Sequence, residues 1–504
     1  MKKILLCGVV VLGLAGAARA DTYYVAPGGE DGGPGTAGEP WETLQHAADR
    51  VEAGDEVVVR AGSYAGFVID TTGTSGAPIA FRAEPGVVID EPNRDGEGIT
   101  FSNVHHVTLQ GFTVTGIDDI GIAGHDALAT DPMLGNQILD CTVDGVAVVG
   151  IYISQFSRAL VQGCQIRGTR PFNDFNGHGM YVANAGCDHT VIRGNWIHDN
   201  VTGIHFNGDL SVGGDGIISG LVVEGNVIAN NDNNGLNMDG VQDSLVQNNL
   251  IYGNGRHGLR DYAIDAAEGA RGMAIVNNTI VVPEGGGWCV RLTEDAGGGH
   301  VVFNNILLNL GGEGAISVEA ASLLEADHNL LTPVFSVQPD ESHIGIDAWR
   351  GLGHGQASEA APAPAELFAD TQAEDFHLLA GARAVDRGVA EAFGRQAPGV
   401  DLEGRPRPAG AGFDQGAYEH GEMADGGTDA GTGTDAGTGI DAGTGIDAGT
   451  GIDAGTGTDA GGGDGEETGS GCGCHGGTRH AASGWAIWIT CGLWMARRRR
   501  VVAR

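Results

Sequence analysis

Three short glycine-led segments in the middle of the chain carry polar side chains at equivalent positions. They read Gly-Ile-His-Phe at 203–206, Gly-Leu-Asn-Met at 235–238 and Gly-Leu-Arg-Asp at 258–261. Side chains of a β-strand alternate between its two faces, so the residue after each inward aliphatic position faces solvent. Parallel strands stacked about 4.8 Å apart would join these positions into one strip. Layer by layer, the strip presents Tyr152 and Ser154, Tyr181 and Ala183, His205 and Asn207, Asn237 and Asp239, Arg260 and Tyr262, and Arg291 and Thr293.

The residue types on this strip suit an acidic sugar chain. Tyrosine rings stack on sugar faces, and arginine binds a carboxylate through two parallel hydrogen bonds. The mixture of aromatic, amide and guanidinium groups favours a ligand groove over the plain solvated face that every solenoid has. We therefore predict a polysaccharide as the partner. The predicted substrate contacts are Tyr152, Tyr181, Asn207, Asn237, Tyr262, Arg256 and Arg291.

The longest loop insertion near the strip, residues 207–216, contains two aspartates. Asp209 and Asp215 lie in this loop, and Asp239 and Asp243 belong to the following layer. Carboxylate oxygens gathered in this way could bind calcium. Aspartates beside glycines also form tight turns without any ion. The sequence therefore predicts a calcium site, with a purely structural role for these aspartates as the alternative.

The elements that position the strip repeat along the chain around a central asparagine. The motifs read Gly-Asn-Trp-Ile at 194–197, Gly-Asn-Val-Ile at 225–228 and Asn-Asn-Leu-Ile at 248–251. The spacing never falls below 23 residues, which predicts a coil of fixed size with insertions confined to loops. Asparagine suits a tight turn, and its amide can bond the asparagine of the next coil. The aligned positions are Phe112, Cys141, Cys164, Asn195, Asn226, Asn249, Asn278, Asn305 and Asn329.

Aliphatic residues recur in the same register and predict a continuous core inside the coil. One inward column consists of Ile151, Met180, Ile204, Leu236, Leu259 and Val290, and another of Ile197, Ile228, Ile251 and Ile280. Regular leucines at helical spacing, which a helical or leucine-rich repeat would need, are missing. We therefore predict an all-β solenoid, a single-stranded parallel β-helix with three short strands per coil.

Composition excludes several classes of partner. The chain has 504 residues, 89 of them glycine, and a formal net charge of −38. High glycine content suits a turn-rich β protein. The acidic balance argues against nucleic acid and against anionic lipid surfaces, because both require a basic patch. The protein is expected to be a monomer, with membrane contact only through its C-terminal end.

A short amphipathic helix is predicted over residues 41–53. Trp41, Leu44, Ala47 and Val51 recur there at helical spacing. The following stretch 56–60 reads as a buried strand. A helix in this position would cover the open end of the stacked strands and protect their edge from association. We interpret it as the N-terminal cap.

The two ends of the chain have features of export and anchoring. Residues 1–20 have two lysines, an apolar run and a small-x-small cleavage pattern, as a secretory signal does. Near the end, a short apolar stretch precedes Arg497–Arg500, which suits a positive-inside stop signal. Export and attachment to the cell surface are therefore predicted. The predicted segments are 1–20 signal peptide, 21–97 cap and first coils, 98–333 β-helix repeats, 334–420 C-terminal end of the solenoid, 421–471 disordered Gly/Thr/Asp linker, and 472–504 sorting or anchor segment.

Four cysteines lie in the body of the chain, and their spacing matches no zinc motif. They are Cys141, Cys164, Cys187 and Cys289. A Cys141–Cys164 disulfide would suit an oxidising compartment. Both residues would also suit small buried apolar positions, so the two interpretations stay open.

Several motifs resemble a known superfamily. The opening Tyr23-Tyr24-Val25-Ala26-Pro27, the segment Arg60-Ala61-Gly62-Ser63-Tyr64 and the close Gly416-Ala417-Tyr418-Glu419 are similar to those of secreted pectate-lyase-like proteins. This resemblance, which covers about 22–420, implies a right-handed parallel β-helix with an asparagine ladder. The C-terminal tail consists of Cys472-Gly473-Cys474, a short apolar stretch and four arginines. This layout resembles the C-terminal sorting tails of myxobacterial surface proteins. Motifs of this kind indicate fold better than activity.

The resemblance also implies β-elimination of a uronic acid polymer, which requires a base and neutralisation of the substrate carboxylate. Calcium-dependent lyases with a similar N-terminus use a lysine as the base, but this chain has lysine only at Lys2 and Lys3. Arginine serves in other β-helix lyases, so Arg260 is the first candidate. His205 and His257 are the alternatives, because histidine titrates nearer neutrality.

Two other functions stay open. Gly177-His178-Gly179 is similar to a short motif of β-helix polygalacturonases, but hydrolysis needs two carboxylates at a defined separation. The chain has Tyr152-Ile153-Ser154-Gln155 in the preceding layer, and Asp118-Asp119 lies out of register. A glycoside hydrolase is therefore the weaker enzyme alternative to a lyase. The other alternative is a non-catalytic glycan-binding or structural surface protein.

Overall fold

Three parallel sheets of 12 strands each wind around a common core. The computed structural model describes residues 20–128, 130–170, 177–183, 186–293, 296–337 and 342–421. From Glu56–Val59 to Val334–Val337, consecutive strands of the three sheets belong to different sheets, and each strand pairs with the strand of its own sheet in the adjacent coil. All pairings within the three sheets are parallel except the last one, in which His343–Gly345 runs antiparallel. The predicted parallel β-solenoid is confirmed.

The strands are short, mostly three to six residues. The first sheet contains Thr22–Val25, Glu56–Val59, Ile79–Ala83, Val107–Gln110, Gln137–Leu139, Leu160–Gln162, Val191–Arg193, Val222–Glu224, Leu245–Gln247, Ala274–Val276, His300–Phe303 and Leu324–Asp327. The second contains Gly62–Ala65, Val87–Glu91, Thr113–Thr115, Thr142–Asp144, Gln165–Arg167, Trp196–His198, Val227–Ala229, Leu250–Tyr252, Thr279–Val282, Ile306–Asn309, Leu330–Leu331 and Glu359–Ala360. The third contains Phe67–Ile69, Ile99–Ser102, Ile120–His125, Val149–Ser154, His178–Ala183, Thr202–Asn207, Leu236–Asp239, Leu259–Tyr262, Val290–Leu292, Ile316–Val318, Val334–Val337 and His343–Gly345.

Small elements complete the described chain. Four two-stranded pairings join Met133–Leu134 to Phe156–Ser157, Ile218–Ser219 to Val241–Gln242, Phe368–Asp370 to Asp375–Leu378, and Glu391–Ala392 to Arg395–Gln396. The helices are the α-helices Leu44–Ala48 and Ile346–Gly351 and the 3₁₀ turns Leu210–Val212, Ala321–Leu323 and Pro364–Glu366.

The two predicted inward columns form as expected. Ile151 pairs in register with Met180, and the column continues coil by coil to Val290. Ile197 is likewise in register with Ile228, Ile251 and Ile280. All of these side chains are fully buried. Each contributes about 1.5–3 kcal/mol of hydrophobic stabilisation, so the columns hold neighbouring coils together.

The asparagine ladder runs without interruption from Asn195 to Asn329. In each step the side-chain amide donates to the next asparagine oxygen, as Asn195 Nδ2 does to Asn226 Oδ1 at 2.9 Å. Cys164 joins only through its backbone N–H, which donates to Asn195 Oδ1. A second, shorter ladder was not predicted. It consists of Thr169, Asn200, Asn231 and Asn254.

Glycines stack at the turn that leads into the third sheet. A Cβ on Gly235 would lie 2.8 Å from the carbonyl oxygen of Gly258 and 2.8 Å from the Ile251 side chain. The same close approach recurs in seven consecutive coils, so side chains there would push the coils apart. The glycines are Gly98, Gly121, Gly150, Gly179, Gly203, Gly235 and Gly258.

The N-terminal helix is shorter than predicted. It spans Leu44–Ala48, and its buried residues Leu44, Ala47 and Ala48 join the core. The prediction began at Trp41, but the backbone of Trp41 bonds to Tyr24 and Ala26 and extends the edge of the first sheet. Thr43 then caps the helix by accepting the His46 N–H. Trp41, the first residue of the predicted helix, is therefore held in the first sheet by backbone hydrogen bonds.

The C-terminal segment, residues 361–421, covers outer faces of the last coils. Leu367, Phe368, Phe376 and Leu378 pack on outward apolar residues of the second sheet. Val389 and Ala392 pack on the first sheet, against Val276 and Phe303. The buried ion pair between Arg407 Nη1 and Glu419 Oε2, at 2.6 Å, ties the segment to itself.

The four cysteines of the solenoid are separate buried thiols. Cys141 and Cys164 occupy the ladder position of consecutive coils, where Gln165 N donates to the Cys141 carbonyl. Burial and the neighbouring Cys141 thiol raise the pKa of Cys164 well above its usual range. The two positions take a small apolar group in the structure.

Among the described residues, no helix is both long enough and apolar enough to cross a membrane. The predicted signal peptide (1–20), linker (421–471) and sorting segment (472–504) lie outside the described residues, except for Ala20 and Gly421.

Candidate functional site

The outward residues of the third sheet form the predicted strip in two columns. Strand pairing places the residues of each column directly next to one another, coil after coil. The first column is Tyr152, Tyr181, His205, Asn237, Arg260 and Arg291. The second column is Ser154, Ala183, Asn207, Asp239 and Tyr262. The structure therefore brings together the strip residues that the sequence singled out.

The strip residues form two groups: side chains that are partly open to solvent, and buried side chains that support them. Tyr152, Tyr181, Asn237, Arg260 and Arg291 are half-buried and keep part of their side chains open to solvent. The supporting residues are buried to within a few per cent. They are His205, Asn207, Asp239 and Tyr262. A ligand lying on the strip would meet tyrosines at one end and arginines at the other.

Amide side chains fix the two inner tyrosines. Asn207 Nδ2 donates to the Tyr181 hydroxyl at 2.9 Å, and Asn237 Nδ2 donates to the Tyr262 hydroxyl at 2.7 Å. Asn237 is itself held through its Oδ1, which accepts from Asn234 Nδ2 at 2.8 Å. Burial raises the pKa of both tyrosines well above the usual range, so both hydroxyls stay protonated.

His205 lies beneath the strip with both ring nitrogens facing other side chains. Its Nδ1 is 3.5 Å from His178 Nε2, and its Nε2 is 3.3 Å from the Tyr262 hydroxyl. The ring stacks on Tyr181, with the centroids 4.8 Å apart. Burial, together with His178 and Arg260, holds the pKa of His205 well below its usual range. His205 is therefore a neutral ring that supports Tyr181 and Tyr262 from below.

His178 was not predicted to belong to the site. The sequence singles it out only within the Gly177-His178-Gly179 motif, and it begins the strand His178–Ala183 just after Gly177, whose φ is 104°. Burial lowers the pKa of His178 to about 4, so this ring is also neutral. Spacing does not indicate this contact, because alternation gives His178 the same parity as the inward Met180 and strand register pairs it with Thr202.

Three arginines surround His257. Arg260 lies over the Tyr262 ring at 4.2 Å, an arrangement in which cation and π system attract. Burial lowers the pKa of His257 to about 3, and the positive charges of Arg291, Arg256 and Arg260 add to the effect. The Nδ1 of His257 accepts the Trp288 N–H at 2.8 Å, which leaves the proton on Nε2. This end of the strip concentrates positive charge in a strongly acidic protein.

Three of the four aspartates of the predicted calcium site bind loop backbone. Asp239 accepts the N–H groups of Ile264 and Asp265, both at 2.9 Å, and burial raises its pKa to about 6. Asp209 accepts Ser211 N–H, and Asp215 accepts Ile217 N–H.

Asp243 is exposed and lies 3.9 Å from Arg271 Nε. Within the described part of the chain, no group of three or more His, Cys, Asp or Glu is arranged to hold a metal ion. The aspartates therefore form no ready-made metal site here, and calcium stays a prediction.

Comparison with known proteins identifies relatives of this chain. Residues 23–285, more than half of the chain, match the family model described as Pel9A-like, right handed beta helix region. The chain is 29% identical over 242 residues to the uncharacterized protein YwoF of Bacillus subtilis (strain 168), a match that covers 46% of each chain. It is 37% identical over 79 residues to pectate lyase PEL9 of Emericella nidulans, across 15% of this chain and 19% of that relative. The chain thus matches less than half the length of these curated relatives.

The crystal structure of pectate lyase Pel9A is similar in fold. It superposes with a TM-score of 0.56 and 16% sequence identity, over 80% of this chain and 97% of that chain. At this identity, the likeness shows the architecture alone.

Proposed function

Because the chain belongs to the Pel9A-like right-handed β-helix family, we propose that it binds a polysaccharide containing uronic acids along the strip and cleaves it by β-elimination. One observation carries this proposal. Six consecutive coils stay in register, so that two tyrosines, a histidine, an asparagine and two arginines form one unbroken column. A sugar chain running along the solenoid would meet all of its half-exposed members.

Each part of the strip has a role in this proposal. Arg291, which is adjacent in register to Arg260, binds a carboxylate of the polymer. Tyr152 and Tyr181, whose ring centroids lie 5.6 Å apart, contact sugar faces at the other end. Asn237 contacts hydroxyl groups between them. The relative in Emericella nidulans is named a pectate lyase, which supports a polyuronate as the substrate class.

The reaction requires removal of the proton at C5 of a uronate while the bond from C4 to the glycosidic oxygen breaks. The electron pair of the C5–H bond forms the C4–C5 double bond, and the leaving oxygen takes up a proton. We assign the base to Arg260, which must be neutral to take up the C5 proton, because its half-exposed side chain lies at the centre of the positive end. His205 and His257 are buried and serve as supports. Arg291, or a calcium ion brought with the substrate, neutralises the carboxylate.

The test is an absorbance assay for unsaturated product with the full-length protein. Pectate, alginate and glycosaminoglycans are supplied with added calcium or with a chelator. Arg260→Ala is expected to lower kcat about 10²-fold or more, as removal of a general base does. Arg82→Ala, an exposed arginine on the first sheet, is the matched control and should keep full activity. No absorbance on any polymer, with or without calcium, would refute the lyase proposal.

Non-catalytic binding of the same polymers is the second candidate. The absence of lysine beyond Lys3 favours it, because related calcium-dependent lyases use lysine as the base. A binder would be retarded in gels that contain polyuronate, yet release no product. A glycoside hydrolase would instead release reducing ends without ultraviolet absorbance.

We also propose that the protein is exported and held at the cell surface by its C-terminal segment, as a monomer. The charged and apolar pattern of the two chain ends supports this proposal. Protease treatment of intact cells should then release the solenoid into the medium. Retention of the intact protein inside treated cells would contradict surface display.

A further inference from the structure

A second aromatic surface lies on a different side of the coil from the strip. Trp196 is on the outer face of the second sheet and is 46% exposed. The other tryptophans within the described ranges, Trp41, Trp288 and Trp349, are each buried to within a few per cent. Trp196 is therefore the tryptophan of the described ranges whose ring is open to a ligand.

The indole is held in a fixed orientation. Its ring stacks on His198, with the centroids 4.0 Å apart and the planes inclined by 22°. His198 is buried and fixed on both sides. Gln165 Nε2 lies 3.0 Å from its Nε2, and Asp199 Oδ2 lies 2.7 Å from its Nδ1. One face of Trp196 thus stacks on a positioned imidazole, and the residue is still 46% exposed, so a ring that binds there costs the indole little rotamer freedom.

Polar groups surround the indole, and the arginines among them are paired with carboxylates. Arg167 Nη2 pairs with Asp144 at 2.7 Å, and Arg193 Nε pairs with Glu224 at 2.5 Å. Gln165 precedes Trp196 in register, and Arg167 occupies the position next to His198. The surface is therefore one indole plane next to Val227, with hydrogen-bonding groups around it and the exposed Asp199 carboxylate beside it, so it disfavours an anionic ligand.

The C-terminal segment stops short of this plane. It covers the outer face of the second sheet from Ala229 and Leu250 onward. On this side it reaches Asn230, whose Nδ2 donates to Glu374 Oε1 at 2.9 Å. Trp196 belongs to the preceding coil. An apolar peptide or a second copy of this chain would need a wider apolar area, and a second copy would also bring another net charge of −38.

We propose that Trp196 is a stacking platform for a neutral pyranose ring, separate from the strip. The C–H bonds on one face of a pyranose carry partial positive charge, which the negative face of an indole attracts. The ring hydroxyls at the sugar edge meet Gln165 and the Arg167–Asp144 pair. This site goes beyond the proposed cleavage reaction, since it would hold neutral polysaccharide or neutral branches next to the polyuronate.

The test is affinity electrophoresis of the full-length protein in gels containing xylan, glucomannan or arabinogalactan, beside gels containing polygalacturonate. Trp196→Ala should weaken retardation by the neutral polymer about tenfold, while Trp196→Phe should keep part of it because an aromatic face remains. Leu352→Ala removes a similarly exposed apolar residue elsewhere and should change nothing. Arg260→Ala should affect only the polyuronate gels, so failure of the platform and failure of the strip are distinguishable.

Two results would overturn the proposal. One is the absence of retardation of the wild-type protein by all three neutral polymers. The other is equal retardation of wild type and Trp196→Ala. Analytical ultracentrifugation of the same variants adds a third arm, since a dimer that dissociates on Trp196→Ala would assign the surface to self-association instead.

Discussion

At the scale of single residues, neutral buried rings support the side chains that face solvent. His178 and His205 are held neutral beneath Tyr181, while Arg260 rests on the Tyr262 ring. A rigid support keeps the contacting groups in place and lowers the entropic cost of binding a flexible sugar chain. The buried rings thus hold the solvent-facing side chains of the strip in position before a ligand binds.

The stability of the fold should depend on pH through His125, which lies near the N-terminal end of the third sheet. Burial opposes its charge, but hydrogen bonds to Asp126 and Glu97 outweigh burial and raise the pKa of His125 to about 10. A pKa raised above the unfolded value of 6.5 stabilises the fold below pH 6.5. This contribution, of order 1–3 kcal/mol, is lost as the pH rises through about 10.

The measurement is urea denaturation between pH 6 and pH 11. Wild type should lose stability as the pH rises from about 6.5 to about 10, and His125→Gln should be less stable at pH 6 with a flatter profile. Identical slopes for the two proteins would contradict the assignment.

At the scale of elements, two features fix the register and spacing of the coils. They are the amide ladders inside the turns and the glycines where coils approach closely. The strands are too short to be stable alone. Their register therefore depends on side chains that bond from one coil to the next.

Removing one ladder amide should be costly. Asn226 accepts from Asn195 N and Nδ2, and it donates to the Ile192 carbonyl and to Asn249 Oδ1. Asn226→Ala leaves these buried groups without partners, and we expect a loss of about 3 kcal/mol or more in the free energy of unfolding. Asn233→Ala, at a half-buried position, is the control. Equal stability of the two variants in chemical denaturation would refute the role of the ladder.

Adding one methyl group at the glycine stack should also destabilise the fold. Gly235→Ala places a Cβ against the Gly258 carbonyl and Ile251, and overpacking of this kind costs about 1–3 kcal/mol. Gly312→Ala is the matched control, because a Cβ there meets nothing within 4 Å. Thermal melts of the two variants should differ by several degrees, and coinciding melts would contradict the packing argument.

At the scale of the whole molecule, the C-terminal segment closes faces that the solenoid leaves apolar. Arg407 and Glu419 are both completely buried, and the pair also bonds the Gly416 carbonyl and Asn248. The segment therefore depends on a charge pair that has no access to water.

Breaking this pair leaves an uncompensated buried charge, which costs about 3–5 kcal/mol. Glu419→Ala is thus expected to lower stability by that amount and to increase hydrogen exchange across residues 361–421. Glu359→Gln removes one partner of an exposed pair with Arg383, 3.7 Å apart, and should cost less than about 1 kcal/mol. Unchanged exchange in Glu419→Ala would show that apolar contacts alone hold the segment.

The sequence by itself determined the coil, its core columns and the members of the strip. These follow from alternation along a strand and from the asparagine repeat, both of which are local and periodic. The N-terminal helix was predicted too long, because backbone pairing of Trp41 with the first strand competes with helical periodicity.

Only the tertiary structure decided which side chains meet outside the strand register. It brought His178 to His205, gathered three arginines around His257 and tied Asp239 to the backbone of residues 264 and 265. It also stacked the Trp196 ring on His198 and left that ring outside the area that the C-terminal segment covers. These contacts depend on loops of unequal length and on register between residues more than 20 positions apart, and no periodic pattern in the sequence records either.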